Sequence, residues 1–188
     1  MADEMFWRLA EADDALAINA LAARSIRALH TGSYDDAVIT VAIEHAYGVD
    51  WQLVHDRTYF VVELDGALAG AGGWSYRETI AGAHGPEDPP GNPLHPSSHA
   101  ARVRAFYVEP GLTRRGVGAL LLRLSEDAAR EAGFTRAELT ATLPAVRFYA
   151  RYGYLPTGAY VVPLPNGLSL TLESMTKRLA QPLAMDAV

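Results

Sequence analysis

AFYVEPGLTRRGVGALLLRL, residues 105–124, is the stretch that decides the fold. It begins with apolar residues typical of a strand, turns at Pro110 and Gly111, and continues as an apolar run with helical spacing. Two adjacent arginines and a Gly-x-Gly sequence stand between the turn and the helical run. The pattern predicts a strand over residues 103–108 and a helix over residues 116–131.

The next segment completes a strand, helix and strand unit. Gly133 is expected to end the helix, because glycine readily adopts the left-handed conformation found after helix C-termini. Residues 137–143 then predict a second apolar strand, and residues 144–152 predict a second helix. Two apolar strands that bracket a helix are typical of a βαβ unit, so we expect these two strands to be parallel.

Upstream of this unit, the apolar spacing predicts a short strand at residues 6–9 followed by two helices. The first helix is expected to be capped by Asp13 or Asp14, and the second by Ser33. The expected apolar positions are Leu16, Ala20, Leu21 and Ile26 in the first helix, and Ala37, Val38, Val41, Ala42 and His45 in the second. The first third of the chain is therefore expected to be helical.

Turn residues predict two hairpins and one long loop. Asp65-Gly66 favours a tight turn between two strands, and Pro165-Asn166-Gly167 favours a closing turn between residues 160–163 and 168–177. Residues 78–101 contain five prolines, which remove backbone donors and predict a long surface loop. A flexible tail is expected at residues 180–188, which leaves a single domain over residues 1–179.

The composition restricts the class of protein. The 188 residues are 49% hydrophobic and 20% charged, which is typical of one globular domain. Without cysteine, the chain has no disulfide, no thiolate metal site and no cysteine nucleophile. The net charge of −6 disfavours a nucleic-acid partner and favours a small or cationic one. The first residues do not resemble a signal peptide and no apolar run reaches ~18 residues, so we expect a cytoplasmic protein without a membrane partner.

The Arg-Arg-Gly-x-Gly segment predicts an anion site at the start of the central helix. A helix N-terminus presents unpaired N–H groups, and glycines at Gly116 and Gly118 would let a phosphate approach them. Arg114 and Arg115 would add charged donors. A tight turn beside a solvated arginine pair is the alternative interpretation. The helix is expected to bury Leu120, Leu121, Leu124 and Ala128 on its other face.

Two motifs together carry a family resemblance. Residues 104–122, RAFYVEPGLTRRGVGALLL, and residues 141–154, ATLPAVRFYARYGY, resemble signatures of the general-control-related N-acetyltransferase (GNAT) superfamily. The chain departs from the family at Thr113, where Gln or Arg is usual, and at Thr142, where many members have Asn. The resemblance implies an α/β (α+β) fold: a mixed, mostly antiparallel central sheet with a parallel, splayed strand pair and flanking helices.

The resemblance also implies a reaction. Acetyl-CoA would be the cosubstrate, and its acetyl group would pass directly to a primary amine of a small molecule or peptide. Tyr149 occupies the family's tyrosine position and would be the general acid. The cofactor-binding residues would be Phe106 and Val108 for the pantetheine arm, and Arg114, Arg115, Gly116, Val117, Gly118 and Ala119 for the pyrophosphate. A non-catalytic module that binds or senses acyl-CoA is the alternative.

The general base is left open, with Glu109, Glu138 and water as the choices. His84, His95 and His99 lie on the proline-rich loop, where no helix would orient metal ligands, so a lid over the acceptor cleft is preferred to a metal site.

Other residues allow two interpretations. Trp51, Tyr59 and Trp74 are interpreted as core residues rather than as an acceptor pocket. Asp35, Asp36 and Glu44 would either attract a cationic amine or form a solvated helix face. The aromatic content and the family resemblance would also be compatible with a homodimer.

Overall fold

The strands of the protein form one mixed sheet. The computed structural model describes residues 5–179, and within this range seven strands pair in the order β1-β2-β3-β4-β5-β7-β6. Among these seven strands only β4 and β5 pair in parallel, which confirms the mixed, mostly antiparallel sheet. The strands are β1 Met5–Leu9, β2 Tyr59–Leu64, β3 Ala67–Ser75, β4 Ala101–Val108, β5 Arg136–Thr142, β6 Leu155–Pro163 and β7 Ser169–Arg178. The tail predicted for residues 180–188 lies outside the described range.

Helices cover both faces of the sheet. The helices are α1 Ala15–His30, α2 Asp36–His45, α3 Trp51–His55, α4 Val117–Glu131 and α5 Val146–Arg151. The first three pack with one face of the central strands, and α4 and α5 pack with the opposite face. Helix α2 also packs against β7. The short helix α3 was not predicted; the Asp50 carboxylate caps it by accepting a hydrogen bond from the Gln52 amide.

The parallel pair diverges almost as soon as it forms. Strands β4 and β5 pair only at Ala101 with Ala137 and at Arg102 with Glu138. Beyond this point β4 carries a bulge, where Ala105 adopts a left-handed φ of 54° and two residues of β4, Ala105 and Phe106, stand opposite one residue of β3, Gly72. The divergence of β4 and β5 that the family resemblance implies is therefore present. It leaves a gap between two neighbouring strands in the middle of the sheet.

The predicted turns and the long loop are confirmed. Asp65 and Gly66 have φ of 52° and 78°, as a tight hairpin requires, and Gly133 after α4 has φ of 92°. No helix or strand interrupts residues 76–100. Close packing explains why residue 70 of β3 is glycine, since a Cβ there would lie 2.5 Å from Val117 Cγ1. Helix α4 thus sits directly on the sheet.

The predicted caps and apolar face of the first two helices need correction. Asp14 stands at the start of α1 without capping it, because its carboxylate accepts hydrogen bonds from Arg8 and from the Glu11 amide. Leu16 is 84% exposed, and Ala20 is exposed too. The buried face is instead Ile18, Leu21, Ala22, Ser25 and Ile26. Helix α2 starts after Asp35, so Ser33 does not cap it.

The buried face of α4 is displaced by one residue from the face that the sequence predicted. Leu121 is buried, but Leu120, Leu124 and Ala128 are only partly buried. The ridge that faces the sheet consists of Val117, Leu121, Ser125 and Ala129. Strand β6 begins at Leu155, five residues before the predicted start, and its largely exposed residues gave no apolar pattern to read.

Candidate active site

The divergence of β4 and β5 opens a cavity of about 480 Å³. Residues 103–108 of β4 and residues 140–142 of β5 form its walls within the sheet. On one face of the sheet it is closed by Leu112, Arg114, Gly118, Phe148 and Tyr149, and we call this part the α4 side. The residues of both sequence motifs therefore meet at one cavity.

The opposite face of the sheet closes the other half of the cavity. Its lining includes Ile26 and His30 of α1, Tyr47 after α2, Leu172 of β7 and residues 80–83 of the long loop. We call this part the α1 side. The long loop thus contributes to the cavity wall, as the expected lid or edge would.

The N-terminus of α4 has the features of the predicted anion site. Gly116 takes the N-cap position with φ of 92°, and no side chain within residues 5–179 caps the helix. The first-turn N–H groups of a helix have no intrahelical partner and carry partial positive charge. Arg114, which is exposed, and Gly118 both line the cavity beside these groups. A Cβ at Gly118 would lie 3.3 Å from Phe148 Cζ, so a side chain here would narrow the space where α4 meets α5.

Tyr149 presents a protonated phenol to the α4 side. The residue is 8% exposed and lies among the rings of Phe106, Phe148 and Tyr154, with centroid distances of 6.3, 5.0 and 5.8 Å. Burial raises the pKa of Tyr149 above its usual value, which keeps the phenol neutral. No hydrogen bond to its hydroxyl is found among residues 5–179, so the group is free to bind a ligand.

The predicted backbone contacts on β4 are on the cavity wall. Phe106 and Val108 both line the cavity. The Phe106 ring lies close over Gly72, where a Cβ would come within 2.7 Å of the ring. The Val108 amide donates a hydrogen bond to the Ser25 hydroxyl of α1, at 3.3 Å. Helix α1 therefore covers the strand that the resemblance assigns to the pantetheine arm.

The other predicted cofactor residues do not line the cavity. Val117, the first residue of α4, is buried against the sheet. Ala119 is half-buried, and Gly116 and Arg115 are exposed. Val117 and Ala119 belong to the first turn of α4, where the backbone N–H groups have no intrahelical partner, Gly116 is the N-cap residue, and the Arg115 amide donates to the Leu112 carbonyl at 3.3 Å.

Neither candidate base reaches the cavity. Glu109 accepts from Arg24 of α1 at 2.8 Å, and Glu138 forms an ion pair with Arg102 where β4 and β5 still pair. Neither carboxylate lines the cavity. Both are held by arginines outside it.

The three histidines of the loop have separate surroundings. His84 is paired with Asp50 and contacts Thr79, whereas the His95 amide donates to His99 Nδ1 at 3.0 Å. Within residues 5–179, no group of three or more potential ligands is arranged for a metal ion. The part of the loop that reaches the cavity is residues 80–83, whose small and apolar residues gave no signal in the sequence.

Sequence reasoning also missed His30 and Tyr47. His30 is 4% exposed, and burial lowers its pKa to about 4, so the ring is neutral at physiological pH. Its ring lies 5.3 Å from the Tyr34 ring and 5.8 Å from the Tyr47 ring. The Tyr47 hydroxyl is buried and has no hydrogen-bond partner in the described part of the chain.

Comparisons with known proteins agree with this geometry. Residues 24–154 match the sequence model of the acetyltransferase (GNAT) family. A GCN5-related N-acetyltransferase from Rhodopseudomonas palustris is similar in structure, with 22% identity, a TM-score of 0.68, and coverage of 95% of this chain and 99% of that chain. Among curated proteins, no significant sequence match is found.

Two further similar structures contain the coenzyme. A putative acetyltransferase from Salmonella typhimurium with its cofactor acetyl-CoA has 19% identity and a TM-score of 0.61, covering 98% of this chain and 99% of that chain. The PaiA N-acetyltransferase from Thermoplasma acidophilum in complex with coenzyme A has 16% identity and a TM-score of 0.59, covering 93% and 99%. At these identities the likeness shows the fold. Separately, none of the helices within residues 5–179 has the length and apolar character needed to cross a membrane.

Proposed function

The chain belongs to the GNAT acetyltransferase family, and on this premise we propose that it is an acetyl-CoA-dependent N-acetyltransferase. The acceptor would be a primary amine of a small molecule or peptide, with Tyr149 as general acid. One observation carries the proposal. The cavity between β4 and β5 is lined both by Gly118, in the first turn of α4, and by Tyr149, whose hydroxyl has no hydrogen-bond partner among residues 5–179.

The residues on the α4 side fit the cosubstrate of this family. The first turn of α4, with Arg114 beside it, would hold the pyrophosphate of acetyl-CoA. Phe106 and Val108 would hold the pantetheine arm along β4. When bound, acetyl-CoA supplies the acetyl group as a thioester at the end of that arm. The lack of a cysteine nucleophile is consistent with direct transfer.

Tyr149 would protonate the departing sulfur. In the transfer, the neutral amine nitrogen forms a bond to the thioester carbonyl carbon, and the bond from that carbon to sulfur breaks. The Tyr149 phenol gives its proton to the thiolate. The amine loses one proton, which restores the phenol through solvent, so the products are an amide and a free thiol. Since Glu109 and Glu138 are held outside the cavity, a water molecule is the favoured acceptor of the amine proton.

Calorimetric titration with acetyl-CoA tests the first half of the proposal, with 3′-dephospho-CoA and NAD as comparisons. We expect micromolar affinity for acetyl-CoA and none for NAD. Release of CoA thiol in the presence of an amine panel tests the second half. No binding of any CoA form would overturn the proposal, and binding without turnover on any amine would favour the non-catalytic acyl-CoA module.

A further inference from the structure

The α1 side of the cavity indicates what kind of amine it accepts, an inference that rests on the proposed acetyltransferase function. The cavity lining that residues 5–179 provide contains no Asp, Glu or Lys. On the α1 side the lining is largely aliphatic and aromatic, with Ile26, Leu29, Ile80, Leu170 and Leu172 among its members. The apolar part of a ligand that binds here leaves water and contacts apolar side chains, which is favourable.

Within the described part of the chain, the charged groups of the lining are two arginines. Arg114 lies at the mouth near α4 and is assigned to the cosubstrate. Arg104 is 5% exposed, and its guanidinium is paired with Asp50 at 2.6 Å and donates to the Gly82 carbonyl at 2.6 Å. Asp50 is fully buried and does not line the cavity. A cation on the α1 side would therefore meet no carboxylate of the lining that residues 5–179 form.

Apart from the guanidinium of Arg104, which is paired with Asp50, the polar groups that residues 5–179 contribute to the α1 side are neutral. Burial lowers the pKa of His30 to about 4 and raises the pKa of Tyr47 above its usual value. Thr140 and Thr142 contribute hydroxyls from β5. These groups can hydrogen-bond a neutral amine, but none of them balances a permanent positive charge.

The protein's negative charge is located elsewhere. Asp35, Asp36 and Glu44, which the sequence offered as an attraction for cationic amines, are all exposed and do not line the cavity. Glu109, which follows β4, is already paired with Arg24. The net charge of −6 is thus not evidence for a carboxylate in the acceptor site.

We propose that the acceptor is a small monoamine with an apolar body, and that diamines, polyamines and other polycations are poor substrates. The physical reason is the cost of burying a second ammonium group without a counterion. The size of the cavity supports a small acceptor, because about 480 Å³ must hold both the acyl end of the cosubstrate and the amine.

A matched pair of amines tests the proposal: hexylamine and 1,6-diaminohexane have the same chain length and differ in the second amino group. We expect kcat/KM per amino group to be about tenfold or more higher for hexylamine. Benzylamine and 4-(aminomethyl)benzylamine repeat the comparison on an aromatic body. Equal or better turnover of either diamine would overturn the proposal.

Binding separates this proposal from the proposed function. Calorimetry of the same amines with the acetyl-CoA-loaded protein reports the preference even when no thiol is released. Absence of turnover with all amines would contradict the enzyme, and tighter binding of the monoamines would still support the acceptor class. Tighter binding of the diamines would contradict the acceptor class independently of turnover.

A designed counterion provides the second test. Ile80 lines the α1 side from the loop and is 37% exposed, so it accepts a polar substitution without loss of core packing. Ile80→Glu should shift the ratio of kcat/KM for 1,6-diaminohexane over hexylamine upward by about tenfold, and Ile80→Gln should leave that ratio unchanged. The same ratio in all three proteins would show that missing carboxylates do not determine the preference.

Discussion

The surroundings of Tyr149 keep its phenol protonated, which the proposed acid role requires. The rings of Phe106, Phe148 and Tyr154 exclude water from the phenol and raise its pKa, while its hydroxyl has no hydrogen-bond partner among residues 5–179. Tyr149→Phe keeps the ring and removes the proton. We expect kcat to fall by about 10²- to 10⁴-fold with the Kd for acetyl-CoA unchanged. Thiol-release kinetics and calorimetry measure the two quantities.

Tyr152→Phe is the matched control for this change. Tyr152 follows α5, is 37% exposed and does not line the cavity, so its hydroxyl has no part in the proposed chemistry. Its removal should leave kcat close to the wild-type value. A Tyr149→Phe enzyme with wild-type kcat would rule out the acid role, although it would leave the family assignment intact.

His30 makes the stability of the protein sensitive to acid. Its folded pKa of about 4 lies below the ~6.5 of an unfolded histidine, so the unfolded state takes up the proton first as the pH falls. The contribution is complete above pH ~6.5 and is lost as the pH falls towards 4. By pH 4.5 the wild type should lose about 2 to 3 kcal/mol more of its unfolding free energy than His30→Phe, measured by urea denaturation at pH 7 and 4.5. Equal losses in both proteins would contradict this prediction.

At the residue scale, the sequence predicted groups that lie within one short motif and missed those that converge from distant segments. Arg114, Gly118 and Tyr149 belong to contiguous patterns whose chemistry can be read locally. His30 and Tyr47 meet the cavity only because α1 and α2 fold over the sheet. A histidine at the end of an amphipathic helix carries no signal of that position.

At the scale of elements, the start of α4 is the feature on which we propose that cosubstrate binding depends. A side chain at Gly118 would approach Phe148 and occupy the space beside the unpaired first-turn amides. Gly118→Glu adds bulk and a negative charge there, and we expect the affinity for acetyl-CoA to fall by about 100-fold or more, measured by calorimetry. The same substitution at Gly111 is the control, because a Cβ at Gly111 meets nothing within 4 Å. Unchanged affinity in Gly118→Glu would refute the anion site.

The elements themselves were predicted where side-chain periodicity was strong. Helix α4 and strands β4, β5 and β7 were each predicted within two residues of their observed bounds. The bulge at Ala105 was not predicted, because alanine has no preference for positive φ and the strain is compensated by tertiary contacts. One of these is the hydrogen bond that the Tyr59 hydroxyl donates to the Ala105 carbonyl at 3.0 Å. The divergence of β4 and β5 followed only from the family resemblance.

At the scale of the whole molecule, one buried ion pair joins three separate parts of the chain. Asp50 begins α3, Arg104 belongs to β4, and Arg104 also holds the Gly82 carbonyl of the long loop, while His84 of that loop contacts Asp50. The pair therefore fixes the helical layer and the cavity-lining part of the loop to the sheet. If Asp50 were removed, Arg104 would be a buried cation without its carboxylate partner.

Asp50→Asn keeps the size of the side chain and removes its charge. Since breaking a buried pair leaves an uncompensated charge, we expect the free energy of unfolding to fall by about 3 to 5 kcal/mol, measured by urea denaturation. Asp127→Asn removes the same charge from a half-exposed pair with Arg130 and should cost less than about 1 kcal/mol. Because residues 80–83 would lose their anchor, the acceptor KM of Asp50→Asn should rise while its Kd for acetyl-CoA stays near that of the wild type. A loss of stability with unchanged acceptor KM would show that the loop holds its place on the cavity without the ion pair.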